Sequence, residues 1–431
     1  MKSYGYVQES PAPALQYSFG SIEFIGMFAT VKMGEMPAVF NVGEGGSVMW
    51  GRPLARNNHI FFGACDKRLY CIDLEGREVW HFETNGPVAG YLAMDNNAIY
   101  FGSYDHNFYA VSFEGRLLWK FAAQGKIYSK PLVLEGRIFF GCEDGNLYCL
   151  GKKGKLLWTF SAKAQIPNGA CLGDGCIYFG SYDRNLYCLG LDGNLKWKFE
   201  ANGIITCVPA YHKGIVYFSS YNKRLHAVRH DGKLLWTYNL KDQTFGNPVV
   251  HGNEIYLGSH SGMVRAFSLG GRLLWDFRAK DCTSDEPSFD GRNMYIGSAD
   301  FNVYAVSLKT HGLVWKATTS GATWCMPLVY KDRLFIGSHD CKFFAFGTKD
   351  GRKLWEFGTS STIQAPFEPD TVAGREKVFE VVWRPIPEAK EDEKYGAVAR
   401  HQEDMGSVYG SLDTGYASSR KEYTGKKKGY R

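Results

Sequence analysis

The sequence predicts an all-β protein, a β-propeller of four-stranded antiparallel blades. One pattern of about 40 residues recurs along most of the chain, which is typical of repeat architectures. Each copy divides into four short segments that are fully apolar or alternate apolar with polar residues, and no helical periodicity interrupts them. The 50 glycines and the 15% aromatic content also favour short strands joined by tight turns.

The repeat is marked by the motif G-x-L-x-W. A unit of four strands cannot bury both of its faces alone, whereas sheets packed face to face around an axis can do so. We therefore expect each Trp, on the fourth and outermost strand, to cover the seam with the next blade. The Trp residues stand at 80, 119, 158, 197, 236, 275, 315 and 355, in five steps of 39 residues and then two of 40.

One copy shows how the strands are assigned. In the copy that ends near Trp197 the predicted strands are PNGACLG, CIYFG, LYCLGL and LKWKFEA, and the turns between them are GDG, SYDRN and LDGN. Both Asp-Gly turns predict type I′ hairpins, because that turn needs positive φ at its two central positions.

The repeats leave material at both ends of the chain. Eight complete copies span 46–357, between an N-terminal extension, 1–45, and a closing segment, 358–385. Residues 21–42 resemble a third and fourth strand, and residues 362–384 resemble a first and second strand. The ring could therefore have eight blades, with the ends packed as extra strands that help to close it, or nine with a composite last blade. We favour eight blades.

Composition indicates the compartment. The net charge is +6 and most of the excess lies at the C-terminus, so the bulk charge favours neither a nucleic-acid nor a membrane protein. Cys71, Cys149 and Cys188 stand where other copies have Ala, which predicts small buried apolar side chains and a reducing compartment. With no visible secretory signal and no long apolar run, we expect a cytoplasmic protein without a membrane span.

The pattern IYFGSYDxNLYxLxxxGxLxWxF resembles the pyrroloquinoline-quinone-like propeller repeat. That repeat occurs in quinoprotein dehydrogenases and in the lipoprotein scaffold of outer-membrane barrel assembly. The enzyme branch implies a vicinal Cys-Cys pair over the cofactor, a calcium ion held by carboxylate and amide groups, and an Asp base. This chain has no Cys-Cys dipeptide, and we expect no catalytic residues, no cofactor and no metal. The scaffold branch implies protein partners on an exported lipoprotein.

The loop between the second and third strands is the first candidate surface. Its copies read ACDKR, SYDHN, CEDGN, SYDRN, SYNKR, SHSGM, SADFN and SHDCK, and the Asp or Asn at the third position is a turn former. Aromatic residues interleaved with cations suit an acidic peptide, a phosphate or single-stranded nucleic acid. The alternative is a solvated rim with tyrosines packed between blades. The candidate residues are Lys67, Arg68, Tyr104, His106, Tyr182, Arg184, Tyr221, Lys223, Arg224, His260, His339 and Lys342.

The starts of the first strands should line an axial channel. Counting back from the recurring Pro places Lys130, Asp285 and Glu286 there, together with Asn168, Cys207, Asn247, Cys325 and Gln364. Lys130 and Glu286 are four periods of 39 residues apart, so an eight-bladed ring places them on opposite walls. One cation facing two carboxylates could hold a small polar ligand, a cation or water.

The C-terminal segment 386–431 differs in composition. It has few aliphatic residues and is predicted to be a disordered arm. Residues 405–431 carry six basic and two acidic groups, net +4. Spaced tyrosines on a basic arm can stack on bases or dock into a partner's groove, although the arm could also be a plain solubilising tail. The residues of interest are Tyr409, Tyr416, Tyr423, Lys426, Lys427, Lys428 and Tyr430.

These observations lead to three functional hypotheses. The first is a non-enzymatic scaffold for protein–protein interaction that uses the loop face and the basic arm. The second is a nucleic-acid-associated protein that uses the arm and the basic loop rim. The third is a small-ligand sensor or quinoprotein-like enzyme with a ligand in the channel.

Overall fold

The described part of the chain is a closed ring of eight blades. A computed structural model describes residues 51–359, except 245, 285 and 324. These residues form eight four-stranded antiparallel sheets, each from one continuous segment with its strands in sequence order. The prediction of an all-β propeller with eight blades is confirmed. The segments 21–42 and 362–384, Gln364, Asp285 and the arm 386–431 lie outside the described residues.

The first four blades share one pattern, a very short inner strand followed by three longer ones. Their strands are β1 Leu54–Arg56, β2 His59–Ala64, β3 Arg68–Asp73, β4 Glu78–Glu83, β5 Leu92–Met94, β6 Ile99–Gly102, β7 Asn107–Val111, β8 Leu117–Ala122, β9 Leu132–Leu134, β10 Arg137–Gly141, β11 Asn146–Gly151, β12 Leu156–Ser161, β13 Cys171–Gly173, β14 Cys176–Gly180, β15 Asn185–Gly190 and β16 Leu195–Glu200.

The last four blades repeat the pattern. Their strands are β17 Ala210–His212, β18 Ile215–Ser220, β19 Arg224–Arg229, β20 Leu234–Asn239, β21 Val249–His251, β22 Glu254–Gly258, β23 Met263–Ser268, β24 Leu273–Arg278, β25 Ser288–Phe289, β26 Asn293–Gly297, β27 Asn302–Ser307, β28 Leu313–Thr318, β29 Leu328–Tyr330, β30 Arg333–Ser338, β31 Lys342–Gly347 and β32 Lys353–Gly358.

The innermost strand of the fourth blade is shorter than the sequence predicted. Of PNGACLG, only Cys171–Gly173 pairs with β14. Pro167 has no N–H to donate. A Cβ on Gly169 would stand 2.1 Å from the carbonyl oxygen of Lys130 in the previous blade, so backbone from the two blades is in contact there. The residues before Cys171 therefore pack against the neighbouring blade near the axis instead of extending the sheet.

The two Asp-Gly turns of this blade differ. Asp174 and Gly175 both have positive φ, 46° and 68°, so the type I′ prediction is correct for the first turn. In the turn between β15 and β16 only Gly193 has positive φ, 87°, and the type I′ prediction is wrong. Asp192 keeps an ordinary backbone because its carboxylate accepts the N–H of Asn194 at 3.1 Å. Gly193 N donates to Gly190 O at 3.0 Å, as in a type I turn followed by a left-handed glycine.

The recurring Trp covers the seam between neighbouring blades, as predicted. The Trp80 indole Nε1 donates to Phe113 O of the next blade at 2.9 Å. Its ring lies against Gly115, where a Cβ would come within 2.9 Å of the indole. The same bond joins Trp119 to Lys152, Trp158 to Leu191, Trp197 to His230, Trp236 to Leu269 and Trp315 to Thr348.

The last blade closes on the first in the same way. Trp355 Nε1 donates to Leu74 O at 2.7 Å, and the Trp355 ring lies against Gly76. Phe62 of the first blade and Phe343 of the last stack with ring centroids 4.0 Å apart. Side-chain contacts of the same kind as at the other seams therefore close the described ring, and it needs no sheet shared between the first and last blades.

The cysteines behave as small apolar residues. Cys71, Cys149 and Cys188 are buried and lie opposite the Trp of their own blade in the strand pairing. All eleven cysteines of the chain are free thiols in this structure. Burial raises the pKa of the Cys71 thiol to about 12, so this thiol stays protonated and unreactive at neutral pH.

We predict that the seam tolerates no side chain at its glycines. Gly154 and Gly136 both have positive φ in the third blade, but only Gly154 faces an indole. A Cβ added at Gly154 would stand 2.7 Å from the Trp119 ring, whereas one added at Gly136 would meet nothing within 4 Å. Gly136→Ala should cost about 1–2 kcal/mol of unfolding free energy from backbone strain alone. Gly154→Ala should cost roughly 1–3 kcal/mol more, because the Trp119 ring must move. Urea denaturation of both variants checks this, and equal losses would contradict a close-packed seam.

Candidate functional site

The loop between the second and third strands has one backbone conformation in all eight blades. Its fourth residue always has positive φ, although six of the eight are not glycine. L-residues adopt this conformation at a cost, so the surrounding structure holds the loop in place. The eight loop-tip residues are Lys67, His106, Gly145, Arg184, Lys223, Gly262, Phe301 and Cys341.

The Asp at the third loop position bonds within its own blade and to the previous one. Asp105 Oδ1 accepts the N–H of Asn107 at 3.0 Å, and Asp105 Oδ2 accepts the Tyr109 hydroxyl at 2.6 Å. Oδ2 also accepts the N–H of Asn85, in the preceding blade, at 2.9 Å. The predicted turn former is thus also a bond between blades. Asp144, Asp183 and Asp300 repeat this bond with Gln124, Lys163 and Lys280.

The predicted face residues separate into three layers. The outermost are the loop tips, where Lys67, His106, Arg184 and Lys223 are exposed. The second layer holds Arg68, Arg224 and Lys342, which begin the third strands and are half-buried. Arg68 pairs with Glu83 at 2.8 Å and Lys342 with Glu356 at 2.9 Å. These partial neutralisations leave Lys67, Arg184 and Lys223 as the exposed tip cations.

The third layer holds the second loop residues, which lie beneath the tips. Tyr104, Tyr182, Tyr221, His260 and His339 are all half-buried. Burial lowers the pKa of His260 and of His339 to about 4, so both imidazoles are neutral at pH 7. Burial also raises the pKa of Tyr104 well above its ordinary value. The aromatic side chains that the sequence predicted to interleave with cations therefore line the inside of the loop ring.

Sequence reasoning missed an acidic member of this layer. Glu143 occupies the second loop position in the third blade, where other blades have Tyr or His. Burial raises the pKa of Glu143, while the neighbouring Lys126, Tyr128 hydroxyl and His106 lower it. Lys126 Nζ lies 5.3 Å from the centroid of the Tyr104 ring. The lone acid in the loop alignment was a signal, but nothing in the sequence placed Lys126 and Tyr128 beside it.

A buried polar network crosses the axis of the ring. Lys130 Nζ reaches Glu286 Oε1 at 3.2 Å, so the two residues expected on opposite walls pair directly. Arg52 Nη2 lies 3.3 Å from Glu286 Oε2. Asn247 Nδ2 donates to Glu286 Oε1 at 2.9 Å and to the hydroxyl oxygen of Tyr91 at 2.7 Å. Glu286 thus contacts three other blades across the channel.

The network includes two residues that the sequence analysis did not identify. Tyr91 and Asn247 are 156 residues apart, the same four periods that separate Lys130 from Glu286. Arg52 precedes the first recurring Pro, so the spacing from Lys130, two periods of 39, was available in the sequence. Tyr91 lacks the following Pro, and this absence concealed it.

Electrostatics favour a charged Glu286. Burial alone would raise its pKa, but Lys130, Arg52 and the Asn247 amide outweigh that effect, and the net shift is downward. The carboxylate is therefore ionised at neutral pH and balanced by two cations. Within residues 51–359 as described, no group of three or more His, Cys, Asp or Glu side chains is arranged to hold a metal ion. No helix in that part of the chain has the length and apolarity to cross a bilayer.

We predict that Glu286 stabilises the ring through this network. Glu286→Gln should cost about 2–4 kcal/mol of unfolding free energy, since it leaves two cations at the hub without their carboxylate. Lys130→Met combined with Glu286→Gln should cost less than the sum of the single changes. A double-mutant cycle by urea denaturation measures this coupling. Additive losses would show that the two side chains do not interact in solution.

We also predict acid sensitivity from buried histidines. Burial lowers the pKa of His226 to about 3 and of His260 and His339 to about 4, from an ordinary 6.5. Unfolded chains bind these protons first, so the stability is complete above pH 6.5 and falls as the pH drops towards 4. At pH 5 each buried imidazole should cost roughly 1–2 kcal/mol. His226→Phe should flatten the dependence of the urea midpoint on pH, and an unchanged slope would contradict a buried neutral imidazole.

Comparison with known proteins identifies the repeat. The family model described as outer membrane protein assembly factor BamB matches four overlapping stretches, 65–169, 143–276, 183–309 and 260–379. No curated protein sequence matches the chain.

Solved structures share the fold at low sequence identity. The computationally designed protein Ika8 is 16% identical with a TM-score of 0.63, over 71% of this chain and 98% of its own. BamB from Moraxella catarrhalis is 16% identical with a TM-score of 0.59, over 67% and 91%. A europium-containing methanol dehydrogenase is 12% identical with a TM-score of 0.57, over 70% and 83%.

The family matches together run from residue 65 to residue 379, most of the chain, and they follow the same repeats that build the eight blades. The chain therefore belongs to the family of the outer membrane protein assembly factor BamB, the pyrroloquinoline-quinone-like β-propellers.

Proposed function

We propose that this chain is a non-enzymatic scaffold whose loop face binds a protein partner. The observation that carries the proposal is the loop ring itself. Eight loops share one backbone conformation, but their exposed tip side chains differ. A rigid backbone with varied tips suits recognition of another surface, because little conformational entropy is lost on binding.

The tip charges suggest the chemistry of the partner. Lys67, Arg184 and Lys223 are exposed on three different blades, and no described carboxylate pairs with them in a salt bridge of 4 Å or less. Phe301, at the tip of the seventh blade, adds a partly exposed aromatic ring. Such a surface fits a partner with acidic side chains around an apolar contact.

The family relationship supports an interaction role. One solved relative carries a name that describes an assembly factor, and another is a dehydrogenase, so the fold alone does not choose between them. Eight clamped loops favour the scaffold. The hub also favours it, because Glu286 is already bonded to Lys130, Arg52 and Asn247. The cytoplasmic location remains a prediction from the sequence.

We predict that a partner is lost when the tip charges are reversed. The full-length tagged chain, captured from its native lysate, should bring down a stoichiometric protein identified by mass spectrometry. The combined change Lys67→Glu, Arg184→Glu and Lys223→Glu should reduce that capture at least about tenfold, because like charges then face the partner's acidic groups.

The matched control changes the same amount of charge on the opposite face. Lys153, Lys213 and Lys309 are exposed in the turns at the other ends of the strands. Lys153→Glu, Lys213→Glu and Lys309→Glu together should leave capture unchanged. Capture that survives reversal of the tips, or that is lost equally in the control, would contradict the placement of the partner on the loop face. The absence of any stoichiometric protein would contradict the scaffold itself.

A further inference from the structure

A cluster of three phenols and one carboxylate lies inside the loop ring of the second to fourth blades. The Tyr104 and Tyr128 rings meet with centroids 5.8 Å apart and planes tilted by 58°. Tyr182, in the next blade, is close enough to both phenols to affect their pKa values. Glu143 interacts with Tyr128, and its Oε1 is buried without a hydrogen-bond donor among the described residues. We call these four residues the tyrosine–glutamate cluster.

This arrangement lacks a cation at one carboxylate oxygen. The three phenol rings present electron-rich faces, which attract ammonium and guanidinium groups. A buried carboxylate oxygen without a donor is costly and is stabilised strongly by a charged N–H group. Lys126 already lies 5.3 Å above the Tyr104 ring, so the cluster attracts a cation within its own chain. That lysine is not within salt-bridge distance of Glu143 in the structure, since no such pair forms at 4 Å or less.

The approach to the cluster is open and locally acidic. The loop tip of the third blade, directly beside Glu143, is Gly145, so no tip side chain covers the carboxylate there. Asp105, Asp144 and Asp183 occupy the third loop positions of the same three blades and add negative charge. A cationic side chain therefore meets less repulsion here than near Lys223 in the fifth blade.

We propose that the tyrosine–glutamate cluster is a binding site for a lysine or arginine side chain, and that the basic end of this chain's own C-terminal arm, 420–431, supplies it. The site goes beyond the proposed scaffold role, and it stands or falls independently of any partner at the loop tips.

The course of the chain supports the arm as the ligand. Thr359 N donates to Cys341 O at 2.9 Å, and Cys341 is the loop tip of the eighth blade. The chain therefore leaves the described ring on the same face as the cluster. A flexible chain of about 60 residues has an end-to-end distance of roughly 40 Å, enough to cross several blades that are each about 15–20 Å wide. Tethering of this kind gives an effective concentration near the millimolar range.

The charge of the arm fits the cluster. Arg420, Lys421, Lys426, Lys427, Lys428 and Arg431 provide six cations within 12 residues, with Glu422 as the one acid among them. The occupied site would hold the arm on the loop face and place its basic end near the tips. An acidic partner that binds Lys67, Arg184 and Lys223 could then compete for the arm and release it.

The test uses a fluorescein-labelled peptide of residues 416–431 and two forms of the full chain, the wild type and a form with the six arm cations changed to Gln. Fluorescence anisotropy should show saturable binding to the second form. Binding to the wild type should be about tenfold weaker, because the tethered arm competes for the site. Equal binding to the two forms would overturn the assignment of the arm as the ligand.

Substitutions locate the site. In the form with the neutral arm, Glu143→Gln should weaken the peptide about tenfold, since it removes the charge but keeps the shape. Tyr104→Leu should also weaken it, and this second change guards against a local rearrangement peculiar to Glu143. Lys126→Gln should strengthen binding a few-fold by removing the competing cation. Glu135→Gln, in the turn at the opposite end of the same blade, should change nothing.

The outcomes separate this inference from the scaffold proposal. Equal peptide affinity in Glu143→Gln and Glu135→Gln would overturn the cation site, whatever the capture experiment finds. Burial raises the pKa of Glu143, so binding should also weaken as the pH falls through that raised value. A peptide affinity that does not change between pH 7 and pH 4.5 would equally count against the carboxylate as the recognised group.

Discussion

The seam between an indole and a glycine is the constraint on which the rest of the structure depends. Each blade donates one indole N–H to a carbonyl oxygen of the next blade, and it receives an indole on its own turn glycine. Because the contact is head-to-tail, the same geometry repeated eight times returns to its start. Trp355 on Gly76 is that return. The ring closes because each blade is rotated by the same contact.

The sixth seam shows how strictly the contact is set. An added residue in the turn of the seventh blade moves the glycine away from the Trp275 ring, and His311 takes its place with positive φ. The imidazole stacks on the indole with centroids 4.5 Å apart and planes 11° apart. The indole N–H then turns to Glu254 Oε2 of its own blade at 3.3 Å. A flat ring can replace the glycine, but the bond between the blades changes with it.

Much of this architecture could be predicted from the sequence, and the limits have physical reasons. The period fixed the blade number and placed Lys130 opposite Glu286, because position in a ring follows from count alone. The layers of the loop face could not be predicted. Whether Lys67 points outward and Tyr104 inward depends on which loop residue has positive φ, and six of the eight that do are not glycine. Tyr128 comes from a different loop than Glu143, so only the folded ring brings them together.

The two ends of each blade are held by different bonds, and this separation suits the loop face to recognition. The Trp bonds join the turns between the third and fourth strands, at one end of the blades. The Asp bonds join the loops at the other end, where Asp105 holds Asn85 of the previous blade. Neither set uses a tip side chain. Lys67 or Arg184 can therefore change without loosening a seam, and a ligand on the tips meets a surface already fixed from below. Glu143 is the exception, since it combines a position in the rigid inner layer with an oxygen still open to a cation.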